Sequence, residues 1–392
     1  MKIAFLTTHD PRDKLSWSGT IYYMSRALER HCGDVTNLGP VVPPLRNVLR
    51  VYGRLRGKLG GRRYLHDRTI GLARACSREV SRKLGSDYFD AIVATASSTA
   101  TAYLETDIPI VHVSDTTFAL MEDYHPGFSD LTEESHREGN EIEARAILCA
   151  SVLAYPSRWA ARSAVDDYGA DEDRVRIVAL GANLDVAPDA DRVLRQRETA
   201  DCTLLFVGRN WERKGGGIAL KAAIRMNEAG VETRLIVCGC TPPDSAAHPC
   251  MKVEGFLDKR DERQSAELAR LYGSADFLLL PTRNECYGMV FCEASAYGLP
   301  AIATDTGGVS DVVVDGKNGY TLPMEAGGDD YARVILELFR DHARYTKLRH
   351  ASRHEFDERL NWDSWGRQMR SIVESLTPSR GNLDKPRPCA RL

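Results

Sequence analysis

The sequence contains no hydrophobic run long enough to cross a membrane, since no stretch approaches the roughly twenty apolar residues that a transmembrane helix requires. It also lacks an excess of either charge: the formal net charge is −3 over 392 residues, which gives no argument for a nucleic-acid partner. The apolar run after Met1 is too short for a secretory signal and is interpreted as a first β-strand. We therefore expect a cytoplasmic protein that binds no nucleic acid.

The ten cysteines do not form a metal-binding pattern. Cys238, Cys240 and Cys250 lie near His248 in the sequence, but their spacing does not fit that of zinc knuckles, and Cys238 falls at the end of a predicted strand. Several cysteines stand in apolar surroundings, as is typical of small buried side chains in a cytosolic protein. The sequence therefore predicts no metal site.

Strand-like apolar runs alternate with helix-length segments along the chain. A hydrophobic share of 43% with 27% charged residues is that of an ordinary globular protein, and the length is sufficient for two domains. The alternation predicts two parallel-sheet α/β units. The candidate strands are 3–6, 91–93, 108–113 and 152–155 in the first unit, and 203–207, 233–237, 277–280, 300–303 and 319–322 in the second.

A polar segment without apolar periodicity, 186–201, is interpreted as the linker between the units. We accordingly assign 1–185 to a first domain and 186–360 to a second. The segment 361–376 carries an apolar stripe with the period of a helix. The final residues, 377–392, are rich in proline, arginine and glycine and are predicted to be a disordered tail.

The most informative segment holds two carboxylates, Glu285 and Glu293, on either side of a glycine at a predicted strand-to-helix junction. The predicted helix begins near Gly288 and ends near Gly298. Its first backbone N–H groups have no partner within the helix, and the helix dipole favours an anion there. One carboxylate can therefore reach a sugar ring and the other a ribose, with a diphosphate between them. Neither acid is expected to be a core residue.

A second motif follows the predicted strand 203–207. The turn from Gly208 to Gly217 is rich in glycine and contains Arg209 and Lys214. Glycines allow close backbone approach to a ligand, and the cations compensate the charge of a diphosphate. On the same predicted domain as the two carboxylates, this turn indicates a diphosphate-binding site.

Together these segments resemble the Glu-x7-Glu signature of retaining GT-B glycosyltransferases of the family-four type, the glycosyl transferases group 1. The resemblance continues through Ser-Ala-Tyr-Gly-Leu-Pro at 295–300, Ala-Thr-Asp-Thr-Gly-Gly at 303–308 and Asp-Gly-Lys-Asn-Gly at 315–319. It implies two Rossmann-like α/β domains that face each other across a cleft, an acceptor-side first domain and a donor-binding second domain. It also implies that the helix at 361–376 crosses back to pack on the first domain.

The resemblance also implies roles for matching residues. Arg209 and Lys214 would bind the donor pyrophosphate, with Arg213 as a neighbouring competitor for the role of Lys214. Glu293 would accept hydrogen bonds from the ribose hydroxyls and Glu285 would contact the donor sugar. The remaining implied donor contacts are the backbone N–H groups of Gly288, Met289 and Val290, for the sugar and distal phosphate, and the base loop with Phe256 and Leu257.

In the first domain, Gly19 belongs to a loop that the resemblance places against the diphosphate and the acceptor, because close backbone approach requires a missing side chain. At the position after the strand 108–113 where many relatives carry a sugar-contacting histidine, this chain has Asp115. The nearby His112 is expected to be a packed core residue. Tyr124 and His125 follow in a loop that can face the acceptor.

The function so implied is transfer of a sugar, with retention, from a nucleotide-diphosphate sugar to an acceptor hydroxyl. A UDP-sugar is the first choice of donor and GDP-mannose the second. Catalysis is assigned to Glu285, Asp115, Arg209 and Lys214, with no cofactor and no metal, because the cations and the helix N-terminus would stabilise the leaving group. The alternatives are a nucleotide-sugar epimerase or inverting transferase on the same fold, and a nucleotide-sugar-binding protein without turnover.

One basic segment is not part of these motifs. It begins at Arg46, ends at Arg63 and contains seven basic residues with few acids. It is either a solvated basic helix or loop, or a surface for an anionic acceptor or an acidic membrane leaflet, because clustered cations attract anions.

Overall fold

The computed structural model describes residues 1–195 and 200–376, which form two compact units. The first unit contains Met1–Val178 and the residues from Trp365 onward, and the second contains Ala179–Ser364. Each unit has one six-stranded sheet in which every strand pair is parallel. The predicted pair of Rossmann-like α/β units is thereby confirmed. The predicted tail, 377–392, lies outside the described residues.

The sheet of the first unit has the strand order β2-β1-β3-β4-β5-β6. Its strands are β1 (Lys2–Leu6), β2 (Asp34–Asn37), β3 (Ala91–Thr95), β4 (Ile110–Val113), β5 (Val152–Tyr155) and β6 (Val175–Ile177). Every residue of β3, β4 and β5 is buried, as expected for central strands of a parallel sheet covered on both faces. The edge strands β2 and β6 were not predicted, because they are polar or short and lack a continuous apolar run.

The helices of the first unit are α1 (Thr20–Cys32), α2 (Leu45–Gly60), α3 (Ile70–Leu84), α4 (Ser98–Thr101), α5 (Phe118–Met121), α6 (Glu133–Cys149) and α7 (Arg158–Asp166). Thr69, Thr132 and Ser157 begin α3, α6 and α7 by accepting a hydrogen bond from a backbone N–H of the first turn. Val80 of α3 is fully buried in a cluster with Ile92 of β3. This packing covers one face of the sheet.

The sheet of the second unit has the strand order β12-β11-β10-β7-β8-β9. Its strands are β7 (Cys202–Val207), β8 (Thr233–Cys238), β9 (Met251–Gly255), β10 (Phe277–Leu280), β11 (Ala301–Thr304) and β12 (Gly319–Leu322). Phe277 and Leu278 of β10 pair with Leu204 and Leu205 of β7. Because the strands are parallel neighbours, the loops that follow β7 and β10 emerge side by side at the same sheet edge.

The helices of the second unit are α8 (Ala190–Leu194), α9 (Gly216–Glu228), α10 (Glu262–Ser274), α11 (Met289–Ala296), α12 (Val309–Val312), α13 (Gly328–Arg340) and α14 (His342–Glu358). Helix α8 lies in the segment that the sequence analysis interprets as the linker, so this polar segment contains a short helix. The side chain of Asp189 accepts a hydrogen bond from Arg192 N, and Arg353 of α14 donates to Pro188 O at 2.7 Å. These bonds attach the segment to α14.

The division between the units lies a few residues before the predicted boundary at 185. Ala182 N donates to Leu360 O at 2.9 Å, and the indole N–H of Trp362 donates to Asn183 Oδ1 at 3.1 Å. At Gly181 a Cβ would stand 2.3 Å from Trp362 N. The stretch from Ala179 therefore belongs to the second unit through its contacts near the start of the last helix.

The last helix, α15 (Trp362–Leu376), begins in the second unit and continues as part of the first. Trp365 and Met369 are completely buried. Gly366 lies against α1 so closely that a Cβ there would stand 2.4 Å from the His31 ring and 3.2 Å from Ala27 O. The apolar stripe of this helix is therefore buried in the first unit.

Within 1–195 and 200–376, no helix is both long and apolar enough to cross a bilayer. The cysteines in this part of the chain are free thiols, and the same residues include no group of three or more His, Cys, Asp or Glu side chains placed to hold a metal ion. Burial raises the pKa of Cys238 to about 11, so that thiol is protonated at neutral pH.

We expect Trp365→Ala to destabilise the first unit by about 3–5 kcal/mol, because it removes the largest fully buried side chain and leaves a cavity. Urea denaturation followed by circular dichroism measures the change. Arg367→Ala is the matched control, since Arg367 is an exposed residue of the same helix. Equal midpoints for the two variants would show that α15 contributes little to the stability of the unit.

Candidate functional site

The loops after β7 and β10 are joined through their backbones. Gly215 has a φ of +75°, and a Cβ there would stand 2.0 Å from Pro281 O, so no other residue fits. Arg283 N donates to Arg213 O at 2.7 Å, and the Arg213 guanidinium donates to Asn284 O at 2.7 Å. The two predicted motifs therefore form one patch at the carboxyl edge of the second sheet, where ligands bind in open α/β folds.

An ion pair links the two motifs directly. Lys214 Nζ donates to Glu285 Oε2, and both side chains are nearly buried. The stem of Lys214 runs over Gly208, where a Cβ would stand 2.8 Å from Lys214 Cγ. Burial, with Arg213 nearby, lowers the pKa of Lys214 to about 7, while the adjacent carboxylate favours the charged ammonium. The ion pair with Glu285 is thus the interaction that favours the cationic form of this buried lysine.

Glycine also shapes the start of α11. Gly288 has a φ of +95°, and a Cβ there would stand 2.5 Å from the Phe291 ring and 3.3 Å from Glu285 Cγ. The N–H groups of Met289 and Val290 stand in the first turn of this helix, where no acceptor exists within the helix itself. The positive end of the helix thus lies beside Glu285, as the sequence predicts for an anion-binding position.

Glu293 is a core residue, and the expectation that neither acid lies in the core was wrong for it. Its side chain is 3% exposed. Lys259 Nζ donates to one carboxylate oxygen at 2.5 Å, and the Tyr272 hydroxyl donates to the other at 2.9 Å. Tyr272 in turn stacks on Tyr297, with ring centroids 5.5 Å apart. A buried carboxylate is retained here because both of its oxygens are hydrogen-bonded.

Sequence reasoning did not find Lys259 or Tyr272. Lys259 lies in the loop after β9 and Tyr272 lies on α10, far along the chain from Glu293. No motif surrounds either residue, and lysine in a loop is usually solvated. The only available signal was the parallel topology, which brings the ends of neighbouring strands to one edge.

The base loop lies beside the basic turn. The Arg209 guanidinium carbon stands 4.7 Å from the ring centroid of Phe256, a cation–π contact, and the ring is about half exposed. Gly239 N donates to Gly255 O at 2.7 Å, and a Cβ at Gly239 would stand 2.8 Å from Gly208 O. Arg209, Phe256 and the following Leu257 are therefore held close to the same edge as Lys214.

The aromatic residue inside the basic turn is Trp211. Its indole covers Gly216, where a Cβ would stand 2.1 Å from the ring, and it contacts Phe206 of β7 with ring centroids 5.4 Å apart. The side chain is almost fully buried. This packing fixes the turn that carries Arg209 and Lys214.

Two predicted site residues belong to the first unit. Gly19 has a φ of +90°, and a Cβ there would stand 2.9 Å from Lys14 O. The preceding Trp17 and Ser18 also have left-handed backbone conformations, so this short turn is strained.

Asp115 follows β4 and is half-buried, and desolvation raises its pKa to about 6. His112 is buried inside β4, and burial lowers its pKa to about 4.

The second unit carries the match to a known family. A family model described as Glycosyl transferases group 1 matches residues 201–341, which contain both motifs. A D-inositol 3-phosphate glycosyltransferase of Corynebacterium efficiens is 31% identical over 299 residues, which cover 71% of this chain and 69% of that protein. The chain belongs to the group 1 glycosyltransferases. It spans about half to two thirds of the length of the curated relatives it matches.

Solved structures agree with this family at the level of the fold. Sucrose-phosphate synthase from Thermosynechococcus elongatus superposes with a TM-score of 0.67 at 16% identity, covering 96% of this chain and 99% of that one. The Anabaena protein HepE, solved in complex with UDP, gives a TM-score of 0.60 at 16% identity over 96% of this chain and 100% of that one. The protein therefore has the GT-B glycosyltransferase fold.

We expect a strong energetic coupling between Lys214 and Glu285, because removing one partner leaves the other nearly buried charge without this counter-ion. Lys214→Met should destabilise the second unit, and adding Glu285→Gln should recover part of the loss, with a coupling of about 1–3 kcal/mol. A double-mutant cycle by urea denaturation measures it. The control is the Lys221–Asp329 pair, about half exposed, for which the coupling should stay below about 1 kcal/mol. Equal coupling in the two pairs would contradict the expectation.

Proposed function

We propose that this chain is a retaining, metal-independent glycosyltransferase that moves a sugar from a nucleotide-diphosphate sugar to an acceptor hydroxyl. The supporting observation is the junction of the basic glycine-rich turn with the Glu-x7-Glu loop at one sheet edge, through Lys214 and Glu285. Leaving-group charge on the diphosphate would be stabilised by Arg209, Lys214 and the first turn of α11. These groups supply positive charge that is already oriented before the donor binds.

Donor binding would exchange the partner of Lys214. A diphosphate brings two negative charges to the turn, so the ammonium can leave Glu285 and bind phosphate oxygen. The freed carboxylate can then accept a hydrogen bond from a hydroxyl of the donor sugar. In this proposal, donor binding would replace the ion pair between Lys214 and Glu285 by two separate contacts, one to the diphosphate and one to the donor sugar.

Glu293 would bind the two ribose hydroxyls, and Lys259 and Tyr272 would hold it in place. A carboxylate with two oxygens can accept bonds from a vicinal diol and still keep bonds to protein donors, because each oxygen accepts more than one hydrogen bond. The buried position makes the group rigid, which reduces the ordering cost when the ribose binds. Phe256 and Leu257 would contact the base.

We favour departure of the diphosphate and attack by the acceptor on the same face of the sugar. With the donor bound, the Glu285 carboxylate would accept a hydrogen bond from a hydroxyl of the donor sugar, so the proposal assigns it no attack on the anomeric carbon and requires no covalent glycosyl-enzyme. Asp115 would accept a hydrogen bond from a substrate hydroxyl, and the turn at Gly19 would allow close approach of a substrate to the backbone.

One solved structure and one sequence relative suggest which donor and which acceptor to test first. HepE was solved with UDP, so UDP-sugars are the first donors to test and GDP-mannose the second. The Corynebacterium efficiens relative is named for D-inositol 3-phosphate, so phosphorylated inositol is the first acceptor to test. Calorimetry with UDP and GDP shows which nucleobase of the donor the protein prefers. NMR of the product shows the anomeric configuration of the transferred sugar. Inversion at the anomeric carbon would overturn the retaining assignment.

The same assays separate the alternatives. An epimerase would convert the nucleotide sugar in the absence of an acceptor and leave the diphosphate attached. A binding protein without turnover would bind the donor but release no diphosphate with any acceptor.

Activity that survives prolonged treatment with EDTA is expected, because the protein's own cations would stabilise the leaving group. Activity that EDTA abolishes and a divalent ion restores would overturn metal independence.

Substitution of the two acids should have different effects. Glu293→Gln should weaken UDP and the UDP-sugar alike, by roughly tenfold to a hundredfold, because ribose contacts are made in both the ground and the transition state. Glu285→Gln should lower kcat more than it weakens UDP binding, because UDP lacks the transferred donor sugar that Glu285 would contact. Calorimetry with UDP and initial-rate kinetics measure the two effects. Equal weakening of UDP by both variants would contradict the division.

The pH profile should depend on Asp115. Its raised pKa of about 6 means that the carboxylate form predominates only above that pH, so kcat/KM should rise as pH increases through about 6. Asp115→Asn should lower the rate and remove this limb of the profile. Asp107→Asn, at an exposed position before β4, is the control and should keep it. A limb that persists in Asp115→Asn belongs to another group.

A further inference from the structure

Helix α2 carries an exposed apolar stripe. Val48, Val51, Tyr52 and Leu55 are each 48–64% exposed. Their spacing of three and four residues places all four on one face of the helix. Single exposed hydrophobic residues are normal on a soluble surface, but several on one helix face mark an interaction site.

Val48, Val51 and Leu55 face outward because the opposite face of α2 is fixed to the first unit. Tyr52 stands at the edge of the stripe, with its half-exposed ring 5.4 Å from the Tyr64 ring, centroid to centroid. Leu49 packs on the core cluster of that unit. At Gly53 a Cβ would stand 3.2 Å from the Tyr64 ring, so the helix backbone lies close to that residue. Arg56 forms an ion pair with Glu134, and its guanidinium lies 5.2 Å from the Tyr64 ring centroid. The helix therefore cannot rotate to bury its apolar stripe.

Two arginines lie beside the stripe. Arg50 and Arg54 are exposed and stand one turn apart on the flank of the apolar face. Neither has an ion-pair partner among the residues that the structure describes. The sequence of α2 contains no aspartate or glutamate. The outward surface of this helix thus combines unpaired positive charge with apolar side chains.

We propose that α2 is a docking surface for an anionic lipid bilayer. The apolar side chains would enter the boundary between head groups and acyl chains, while Arg50 and Arg54 bind the acidic head groups. A soluble polyanion such as a nucleic acid would neutralise the arginines but leave the stripe in water. A second copy of the chain would cover the stripe but bring like charges together. A bilayer of negative surface charge satisfies both parts of the surface.

The test is co-sedimentation of the full chain with vesicles of phosphatidylcholine, alone or with about a quarter of phosphatidylglycerol. We expect binding to the anionic vesicles, much weaker binding to phosphatidylcholine alone, and a decrease as salt shortens the Debye length. Equal binding to both vesicle types, or none to either, would overturn the proposal.

Two double variants separate the contributions. Arg50→Gln with Arg54→Gln should weaken partition to anionic vesicles by about thirtyfold, and Val51→Ser with Leu55→Ser should weaken it by at least about tenfold. The matched control, Arg78→Gln with Arg162→Gln, removes the same charge from exposed positions of α3 and α7 and should have little effect. Because all six positions are exposed or solvated, the variants should keep the thermal stability of the parent chain.

Three outcomes would assign the surface differently. If the control weakens binding as much as the α2 variants, net charge and not this helix drives the attraction. If the serine variant binds vesicles as the parent does but changes the oligomeric state in sedimentation velocity, the stripe is covered by a second copy. If only the arginine variant matters and single-stranded DNA binds equally well, the partner is a soluble polyanion.

Discussion

The contact between Gly215 and the Pro281 carbonyl determines how the candidate site is built. The two loops that carry the basic turn and the acidic signature can approach only because residue 215 has no side chain. That approach places Lys214 beneath Glu285, and the pair then joins the ends of β7 and β10 electrostatically. A bulkier residue at 215 would push the loops apart and separate Lys214 from Glu285. The geometry of both motifs thus depends on one missing methyl group.

Two lysine–carboxylate pairs give the site an unusual charge balance. Lys214 neutralises Glu285 and Lys259 neutralises Glu293, so the buried charges cancel before any ligand binds. Such pairs cost desolvation energy and contribute little net stability compared with apolar packing. In the proposed function, Lys214 would transfer its interaction from Glu285 to a phosphate, while Lys259 would stay on Glu293 and hold it in place. The desolvation cost of the Lys214 pair would then be offset when an anionic donor binds.

The sequence predicted those elements whose structure depends on their own residues and not on distant parts of the chain. Apolar runs such as 277–280 identify central strands because these are buried on both faces, and Gly288 identifies the start of α11 because that position has a positive φ. It was uninformative where structure depends on distant neighbours. The polar edge strand β2 is defined by pairing with β1, helix α8 by arginines of α14, and the position of Lys259 by Glu293. The burial of Glu293 was missed for the same reason, since its hydrogen-bond donors come from other segments.

Trp211 gives this protein a built-in optical reporter. Its indole is packed within the turn that carries Arg209 and Lys214, against Gly216 and Phe206. Indole emission depends on the electric field and on the solvation of the ring, so a diphosphate that arrives at the adjacent cations changes the field felt by this chromophore. The other four tryptophans, at 17, 159, 362 and 365, lie outside this turn. Stopped-flow fluorescence can therefore follow ligand arrival in real time without any label attached to the chain.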